Sequence, residues 1–318
     1  MKILVTGALG HIGSRLIREL YFSFPGCKIL MVDNLMTQRY CSLFNLPKEG
    51  NYQFFEGDIT QMELMPLLVG VDVVVHLAAI TDAAGSFGRA EQVEQNNFYS
   101  TKRLAEACAD SEVRLITLSS TSVYGTQSDL VDEDCSEAEL QPQSPYAVTK
   151  LKEEQLVQQL VKNRRLRASI LRFGTIFGIS PGMRFHTAVN KFCWQAAMGQ
   201  PITVWSTAYD QKRPYLELGD ACKAIEHIIR KELFDGRVYN VLTLNASVRQ
   251  VVDTIREFAP AVKLQFVDNK IMNQMSYEVN DQRFCGTGFR SEGNLSLSIK
   301  EEISLLMTGK SNADQHYI

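Results

Sequence analysis

Long apolar runs are missing from this chain of 318 residues. The longest candidate, residues 71–80, is interrupted by Asp72 and His76, whereas a membrane-spanning helix needs about 20 consecutive apolar residues. An excess of charge of one sign is also missing, because 33 basic and 36 acidic residues leave a net charge of −3. We therefore expect neither a membrane segment nor a nucleic-acid partner.

The cysteines lack the spacing of a metal site or a disulfide framework. Seven of them are scattered along the chain without a Cys-x-x-Cys pair or a neighbouring histidine. Met1 leads directly into an apolar stretch, which leaves no room for a signal peptide. These features predict reduced thiols, no bound metal and a cytoplasmic location.

Strand-like and helix-like stretches alternate through the first half of the chain. Apolar, β-rich runs predict strands at residues 2–6, 29–32, 52–55, 71–77, 114–118 and 169–173. Helical patterns lie between several of them, at residues 12–21, 93–109 and 146–162. This alternation predicts an α/β fold with a Rossmann-type, doubly wound parallel sheet, whose ligands bind beyond the carboxyl ends of the strands.

The pattern loosens after residue 178. Helices are expected at 187–198, 220–231 and 247–258, and strands at 202–205 and 238–241. We predict a smaller, mixed α/β C-terminal cap for the substrate, made of residues 176–209 and 244–318, beside a cofactor-binding domain of residues 1–175 and about 210–243. The polar residues 311–318 are expected to form a disordered tail, and Trp194 and Trp205 are assigned to core packing.

A glycine turn follows the first predicted strand. Gly7, Gly10 and Gly13 stand three residues apart, directly before a helix start. Gly7 would allow the tight turn, Gly10 the approach of phosphates to the backbone, and Gly13 the close packing of helix on strand. Because a helix N-terminus presents unpaired N–H groups, the turn predicts a site for a dinucleotide pyrophosphate.

Asp33 ends the second predicted strand, about 20 residues beyond the glycine turn. A carboxylate there can accept both ribose hydroxyls of adenosine and would repel a 2′-phosphate, so it favours NAD over NADP. The alternative is an aspartate that only stabilises a turn. With the strand, turn and helix in place, the set predicts NAD as the cofactor.

Tyr146 and Lys150 are expected one turn apart on one helix face, with Ser144 as the N-cap and Pro145 in the first turn. The ammonium would lower the pKa of the tyrosine from ~10 toward neutrality, so the phenol could act as a general acid or base. Hydroxyls at residues 119–122 follow a predicted strand and could bind the reacting oxygen. The alternatives are a surface helix with this spacing by chance and a serine-rich turn.

These motifs together resemble the extended short-chain dehydrogenase/reductase superfamily, and within it the NAD-dependent epimerase/dehydratase proteins that act on nucleotide sugars. The three-residue glycine spacing is that family's form of the turn. The resemblance covers residues 1 to about 260 and includes Gly57-Asp58-Ile59, His76-Leu77-Ala78-Ala79, residues 96–101, Leu171-Arg172-Phe173, residues 199–202, Arg213 and Gly219-Asp220-Ala221.

The resemblance implies cofactor contacts at the matching positions. Asp58 and Ile59 would meet the adenine, Asn97 would hold a loop beside the cofactor, Lys150 would bind the nicotinamide ribose, and Phe173 would lie near the nicotinamide. The full expected set is Gly7, Leu9, Gly10, His11, Ile12, Gly13, Asp33, Asn34, Asp58, Ile59, Leu77, Ala78, Ala79, Asn97, Ser119, Tyr146, Lys150 and Phe173.

The resemblance also implies catalytic and substrate-binding roles. Ser120 precedes Tyr124 by four residues, as the family's catalytic Ser or Thr does, and would act with Tyr146 and Lys150. Arg213 could clamp a diphosphate, although a surface arginine is the alternative. The expected substrate contacts are Thr81, Ser120, Thr121, Thr175, His186 and Arg213.

Departures from the family pattern narrow the chemistry. The family's 4,6-dehydratases carry an Asp-Glu pair where this chain has Thr121 and Ser122, and neither hydroxyl can supply that acid and base. Thr175 replaces an asparagine that usually contacts the sugar nucleotide.

We therefore predict an NAD-dependent nucleotide-sugar epimerase that acts at C4. The resemblance also implies a homodimer, because the helices that correspond to residues 93–109 and 146–162 pair two subunits in many members of the family. The alternatives are a nucleotide-sugar dehydrogenase or ketoreductase and, from another class, a non-catalytic NAD-sensing protein.

Overall fold

The structure, a computed structural model, describes residues 1–81, 85–125, 130–136, 140–268 and 276–308, so the expected tail at 311–318 lies outside it. The strands are β1 (Lys2–Thr6), β2 (Lys28–Asp33), β3 (Asn51–Glu56), β4 (Val73–His76), β5 (Arg114–Ser120), β6 (Leu130–Val131), β7 (Ala168–Phe173), β8 (Thr175–Phe177), β9 (Ile202–Trp205), β10 (Lys212–Glu217), β11 (Val238–Val241), β12 (Leu244–Ser247), β13 (Leu264–Val267) and β14 (Glu278–Val279). The α-helices are α1 (His11–Ser23), α2 (Met65–Leu68), α3 (Ala90–Asp110), α4 (Pro145–Arg164), α5 (Ala188–Ala197), α6 (Leu218–Lys231), α7 (Val248–Phe258), α8 (Gln282–Cys285) and α9 (Leu295–Thr308).

Seven parallel strands form the large sheet, in the order β11-β7-β5-β4-β1-β2-β3. β1 lies between β2 and β4, with Ile3 opposite both Ile29 and Val73. The chain runs outward from β1 to β3 and then crosses back to β4, so the winding reverses between β1 and β4. Ligands of such sheets bind in the crevice at this reversal. The predicted Rossmann-type sheet is confirmed.

Helices cover both faces of the large sheet. α1 and α6 pack together on one face, and α3 and α4 pack together on the other. Alternate side chains of β1 enter the two cores, since Ile3 and Val5 belong to one apolar cluster and Leu4 to the other. Burial on both faces explains why this part of the sequence contains short apolar runs.

A smaller, mixed α/β unit is built from the later elements. β10 pairs in parallel with β8 and antiparallel with β12, while β9 pairs with β13. α5, α7 and α9 pack on one another around an apolar cluster that includes Phe192, Val251 and Ile303. The expected cap architecture is therefore present, whereas its limits at residues 175, 210 and 243 stay a prediction.

Local signals explain how the two helices nearest the predicted site begin. The Ser144 Oγ accepts a hydrogen bond from the Ala147 N–H at 3.2 Å, and Pro145 is the first residue of α4, as predicted. Gly10 precedes α1 and offers no side-chain cap. The first N–H groups of α1 therefore have no partner within the helix. No helix within the described ranges has both the length and the apolar character needed to cross a membrane.

Candidate active site

The glycine turn between β1 and α1 is packed so closely that side chains are excluded from it. A Cβ atom on Gly7 would lie 2.6 Å from the Ala78 nitrogen, and Gly7 has a φ of +65°. A Cβ atom on Gly13 would lie 2.3 Å from the Gly7 oxygen. Both obstacles are backbone atoms, so neither can move aside cheaply. The turn thus forms a bare backbone surface at the N-terminus of α1.

Side chains from two other segments hold this turn in place. The Leu9 N–H donates to the Asp33 carboxylate at 3.0 Å, and the Ser42 hydroxyl donates to the Leu9 oxygen at 2.9 Å. The Ser180 hydroxyl donates to the His11 oxygen at 2.8 Å. Burial lowers the pKa of His11 to about 4, so this side chain adds no charge at neutral pH. Sequence reasoning missed the role of residues 178–182, because only the tertiary fold brings them to the turn.

The residues expected around the adenosine cluster at the ends of β2 and β3. The Asn34 Nδ2 donates to the Asp58 carboxylate at 3.1 Å. Burial alone would raise the pKa of Asp58, but hydrogen bonds from Thr60 and Asn34 bring it below its usual value. Asp33 accepts one backbone N–H at each oxygen, from Leu9 and Leu35. Each of its oxygens keeps a lone pair, so Asp33 can still accept ribose hydroxyls.

A cavity of about 480 Å³ extends from the glycine turn, past the end of β5, to the cap. The predicted residues that line it are Gly7, Gly10, His11, Ile12, Gly13, Leu77, Ala79, Thr81, Ser119, Ser120, Thr121, Tyr146, Lys150, Phe173, Thr175, His186 and Arg213. The predicted residues that do not line it are Leu9, Asp33, Asn34, Asp58, Ile59, Ala78 and Asn97. Most of this second group lies at the adenosine end. Asn97 instead supports the cavity wall, because its side-chain amide accepts from the N–H of Ile80 and donates to the oxygen of Ile80.

The three predicted catalytic side chains meet at one point of the cavity wall. The Lys150 ammonium lies 6.0 Å from the centre of the Tyr146 ring, and Tyr146 forms a side-chain hydrogen bond with Ser120. The Ser120 Oγ also accepts hydrogen bonds from the N–H and the hydroxyl of Ser122, at 3.2 and 2.9 Å. A phenol, a serine hydroxyl and an ammonium are thereby arranged for proton transfer to or from a bound oxygen.

The prediction of a lowered pKa for Tyr146 is wrong for this structure. Burial raises the pKa of Tyr146 above its usual value, and this effect exceeds the opposing one of the Lys150 ammonium. Glu153, which lies beside Lys150, also raises it. The spacing along the helix correctly placed the Lys150 ammonium near Tyr146. It carried no information about the burial of Tyr146 or about the negative charge of Glu153.

The cavity wall fits the cofactor that the sequence predicts. The Ser119 Oγ is buried without a hydrogen-bond partner among the described residues, although it lies at the carboxyl end of β5 and lines the cavity. A buried hydroxyl in this state indicates a ligand atom as its partner. Together with the bare backbone of the turn and the Asp33 carboxylate, Ser119 provides donors and acceptors along the length of a dinucleotide.

The cap side of the cavity is rich in hydroxyls and cations. The Tyr277 hydroxyl donates to the Thr121 oxygen at 3.0 Å, and the Arg213 guanidinium stacks over the Tyr277 ring at 5.1 Å. Burial lowers the pKa of Arg213, because it disfavours the charged guanidinium. An anion bound beside Arg213 would offset this cost and would itself be stabilised by the guanidinium charge. Arg184 donates a hydrogen bond to the Thr81 hydroxyl. These groups suit a phosphorylated sugar.

Several residues of the site were not found in the sequence. Tyr277 lies beyond the part of the chain that carries the family resemblance, so no motif identified it. The assignment of both tryptophans to core packing is wrong, because Trp205 lines the cavity and Trp194 is 38% exposed against Phe185. Glu153 could have been found from its position three residues after Lys150, which is the spacing of an ion pair on a helix.

Comparison with known proteins identifies similar chains. A family model described as the NAD dependent epimerase/dehydratase family matches residues 3–241. Among curated proteins, the chain is 31% identical over 316 residues to the trifunctional UDP-glucose 4,6-dehydratase/UDP-4-keto-6-deoxy-D-glucose 3,5-epimerase/UDP-4-keto-L-rhamnose-reductase RHM2 of Arabidopsis thaliana. That match covers 94% of this chain and 46% of the plant protein, so the chain spans about half the length of this relative.

Two further similarities extend over most of this chain and most of the similar protein. The uncharacterized UDP-glucose epimerase YtcB of Bacillus subtilis is 32% identical over 286 residues, which are 87% of this chain and 88% of that one. The crystal structure of UDP-glucuronic acid 4-epimerase from Bacillus cereus, in complex with UDP-glucuronic acid and NAD, is 27% identical. It has a TM-score of 0.87 and covers 97% of this chain and 99% of its own.

Proposed function

Because the chain belongs to the NAD dependent epimerase/dehydratase family, whose enzymes use NAD on nucleotide sugars, we propose that it epimerises a UDP-sugar at C4. The relatives include both epimerases and dehydratases, so the choice between the two must come from the residues of this chain. The names of the similar proteins support UDP as the nucleotide and leave the sugar open.

One observation carries the choice of epimerase. Within the described residues, the side chains that line the cavity include no aspartate or glutamate. Elimination of water from the sugar needs an acid and a base besides the tyrosine, and the positions that supply them in dehydratases hold Thr121 and Ser122 here. A wall of hydroxyls can bind a sugar oxygen but cannot exchange protons in this way at neutral pH. Epimerisation needs only the Ser120, Tyr146 and Lys150 set.

The proposed reaction moves one proton at the Tyr146 hydroxyl. When bound, NAD supplies the hydride acceptor for the sugar carbon and later the hydride donor. As the phenolate, Tyr146 takes the proton of the C4 hydroxyl and becomes the phenol, and the phenol afterwards returns that proton to the oxygen of the 4-keto sugar. Ser120 donates a hydrogen bond to the same oxygen, and the Lys150 ammonium stabilises the phenolate that starts and ends this cycle. The 4-keto sugar must turn over within the cavity before its other face is reduced.

Replacement of the phenol tests this assignment. We expect Tyr146→Phe to lower kcat by about 10²- to 10⁴-fold, since general acid–base catalysis contributes that much. NAD should remain bound, because the ring and the cofactor cradle are unchanged. The measurement is conversion of UDP-glucose and UDP-glucuronic acid into their 4-epimers, followed by proton NMR, with NAD content determined on the same samples. Tyr40→Phe is the control, because Tyr40 is 52% exposed and outside the cavity. Near-normal turnover of Tyr146→Phe would contradict the assignment.

We also propose that the chain acts as a homodimer in a reducing, cytoplasmic compartment and serves carbohydrate biosynthesis. None of the seven cysteines, which all lie in the described ranges, forms a disulfide, and this suits such a compartment. α3 and α4 pack side by side and present exposed apolar side chains, Tyr99 at 51% and Val148 at 38%. A second copy docked on these helices would cover them. Light scattering on the purified protein measures the mass, and a monomer at micromolar concentration would contradict the dimer.

A further inference from the structure

A buried carboxylate lies directly behind the proposed catalytic lysine. The Lys150 Nζ donates to the Glu153 Oε2 at 3.0 Å, and the Lys150 and Glu153 residues are only 5% and 4% exposed. The Thr101 hydroxyl of α3 donates to the same carboxylate oxygen at 2.8 Å. α4 places both charges on its inner face because they are three residues apart.

This ion pair is costly to bury, and it is incompletely satisfied. The Glu153 Oε1 is buried without a hydrogen-bond partner in the described part of the chain. A well-packed apolar residue at position 153 would often serve stability equally well or better. The next residue, Glu154, is fully satisfied by comparison, since both of its oxygens accept hydrogen bonds from the Arg172 guanidinium, at 2.8 and 2.6 Å. The stability of α4 alone therefore does not account for Glu153.

Glu153 affects both members of the proposed catalytic couple. Burial lowers the pKa of Lys150, but Glu153 and Tyr146 together bring it above its usual value, so Lys150 stays an ammonium. The same carboxylate raises the pKa of Tyr146 and opposes the effect of Lys150. The other charged or titratable neighbours are Arg184, which lowers the pKa of Tyr146, Glu154, which raises that of Lys150, and His76, whose pKa burial lowers to about 3.

We propose that Glu153 is a positioning residue of the active site, which fixes the Lys150 ammonium by a buried ion pair and partly neutralises its charge at Tyr146. Its role rests on the proposed function of the Tyr146–Lys150 couple. Lys150 has to remain an ammonium while the Tyr146 ring lies on one side of it. On the other side, the Glu153 carboxylate provides a fixed counter-charge. Lys150 can then stabilise the phenolate that takes the sugar's proton, while Glu153 limits this effect so that the phenol can give the proton back in the second half of the reaction.

Glu153→Gln removes the charge and keeps the shape. We expect the first ionisation of the Tyr146–Lys150 couple to move to lower pH by about one unit. Two measurements report it: the acidic limb of the pH profile of kcat/KM for the UDP-sugar, and the ultraviolet difference absorbance of the Tyr146 phenolate, with Tyr146→Phe as the baseline. KM and NAD content should stay within about twofold of the wild type, because neither ligand is proposed to touch Glu153.

Glu94→Gln is the matched control. Glu94 pairs with Lys152 of α4 at 2.6 Å, but both side chains are almost half exposed, so the same loss of charge should leave the pH profile unchanged. If Glu153→Gln does not fold, Glu153→Asp keeps the charge, draws it away from Lys150 and should shift the profile in the same direction by less. A lower melting temperature with an unchanged pH profile and phenolate titration would overturn the proposal. The phenolate titration needs no turnover, so failure of the epimerase assignment would leave this test intact.

Discussion

At the scale of single residues, backbone packing sets the identity of Gly13 more strictly than helix propensity does. Gly13 lies within α1, where alanine would normally be preferred by about 1 kcal/mol. The Cβ of that alanine would nevertheless lie 2.3 Å from the Gly7 oxygen and 2.8 Å from Ala8 backbone atoms. The turn must then open, and the opening displaces the N–H groups that the pyrophosphate would use.

We expect Gly13→Ala to weaken NAD binding by about 5- to 150-fold, because overpacking of this kind costs about 1–3 kcal/mol and 1.4 kcal/mol corresponds to tenfold. Titration calorimetry with NAD measures the change. Gly88→Ala is the control, since a Cβ there meets open space and Gly88 has no left-handed backbone. Equal affinities for wild type and Gly13→Ala would show that the turn does not bind the cofactor.

Single residues also show what the sequence can and cannot reveal. Ser120, Tyr146 and Lys150 were predicted together from a strand end, the spacing along a helix and the family resemblance, and in the structure all three line the cavity. Tyr277 was missed as a site residue because its role depends on a neighbour distant in the chain, Thr121. Glu153 has the helix spacing of an ion pair with Lys150, but its burial and its contact with Thr101 appear only in the fold. The direction of the Tyr146 pKa was wrong for the same reason, since burial is a property of the folded molecule.

At the scale of elements, α4 is tied to the sheet by a second buried ion pair. The Arg172 guanidinium of β7 binds both Glu154 oxygens and also donates to the Tyr124 hydroxyl at 2.8 Å. The Tyr124 hydroxyl donates in turn to Asn240 of β11 at 2.9 Å. The network joins one helix and two strands directly behind the catalytic set.

Glu154→Gln should destabilise the protein by about 3–5 kcal/mol, because it leaves the Arg172 charge buried without its counter-charge. Unfolding in urea measures the free energy. The exposed pair of Glu94 and Lys152 is the comparison, and Glu94→Gln should cost less than about 1 kcal/mol. Similar losses for the two variants would contradict the importance of burial.

α9 carries a carboxylate that makes stability depend on pH. Glu302 is fully buried, neither of its oxygens has a partner among the described residues, and burial raises its pKa to about 8 from a usual value of 4.5. Below pH 4.5 the folded and unfolded chains both hold this proton. As pH rises toward 8, the unfolded chain loses the proton first, so the free energy of unfolding falls and then levels off above pH 8.

The contribution of Glu302 to this fall is on the order of 5 kcal/mol over the whole titration. About 3 kcal/mol of it falls between pH 5.5 and pH 8.5, and we expect Glu302→Gln to remove most of that difference in the free energy of unfolding, measured in urea at these two pH values. Glu301→Gln is the control, because Glu301 is exposed on the same helix. A pH dependence that is the same in Glu302→Gln and wild type would disprove the role of this carboxylate.

Elements differed in how well the sequence predicted them. The strands of the large sheet and the long helices α1, α3 and α4 lie within a few residues of their predicted bounds. The strands are apolar runs and α1 and α3 have an apolar period, whereas α4 is marked by its Ser144 cap and Pro145. The short strands β8 and β12 were not predicted. Both are defined by pairing with β10 across the chain and carry little apolar pattern of their own.

At the scale of the whole molecule, one cavity joins the large sheet to the later elements of the chain. The winding reverses between β1 and β4, and the glycine turn and the end of β5 line the cavity. Arg213 of β10 and Tyr277 also line it. We propose that the sheet holds the cofactor and the proton-transfer residues, for which the sequence carries clear motifs, and that Arg213 and Tyr277 contact the substrate, for which the sequence carries few signals.

In the proposed reaction, the sugar transfers a hydride from C4 to NAD and receives the same hydride back. Deuterium at C4 of UDP-glucose and UDP-glucuronic acid makes this transfer visible, with product and label followed by NMR and NADH followed by absorbance. We expect 4-epimers that keep the deuterium at C4, with no accumulation of NADH. Net NADH formation, loss of the label to solvent or a dehydrated product would rule out this reaction.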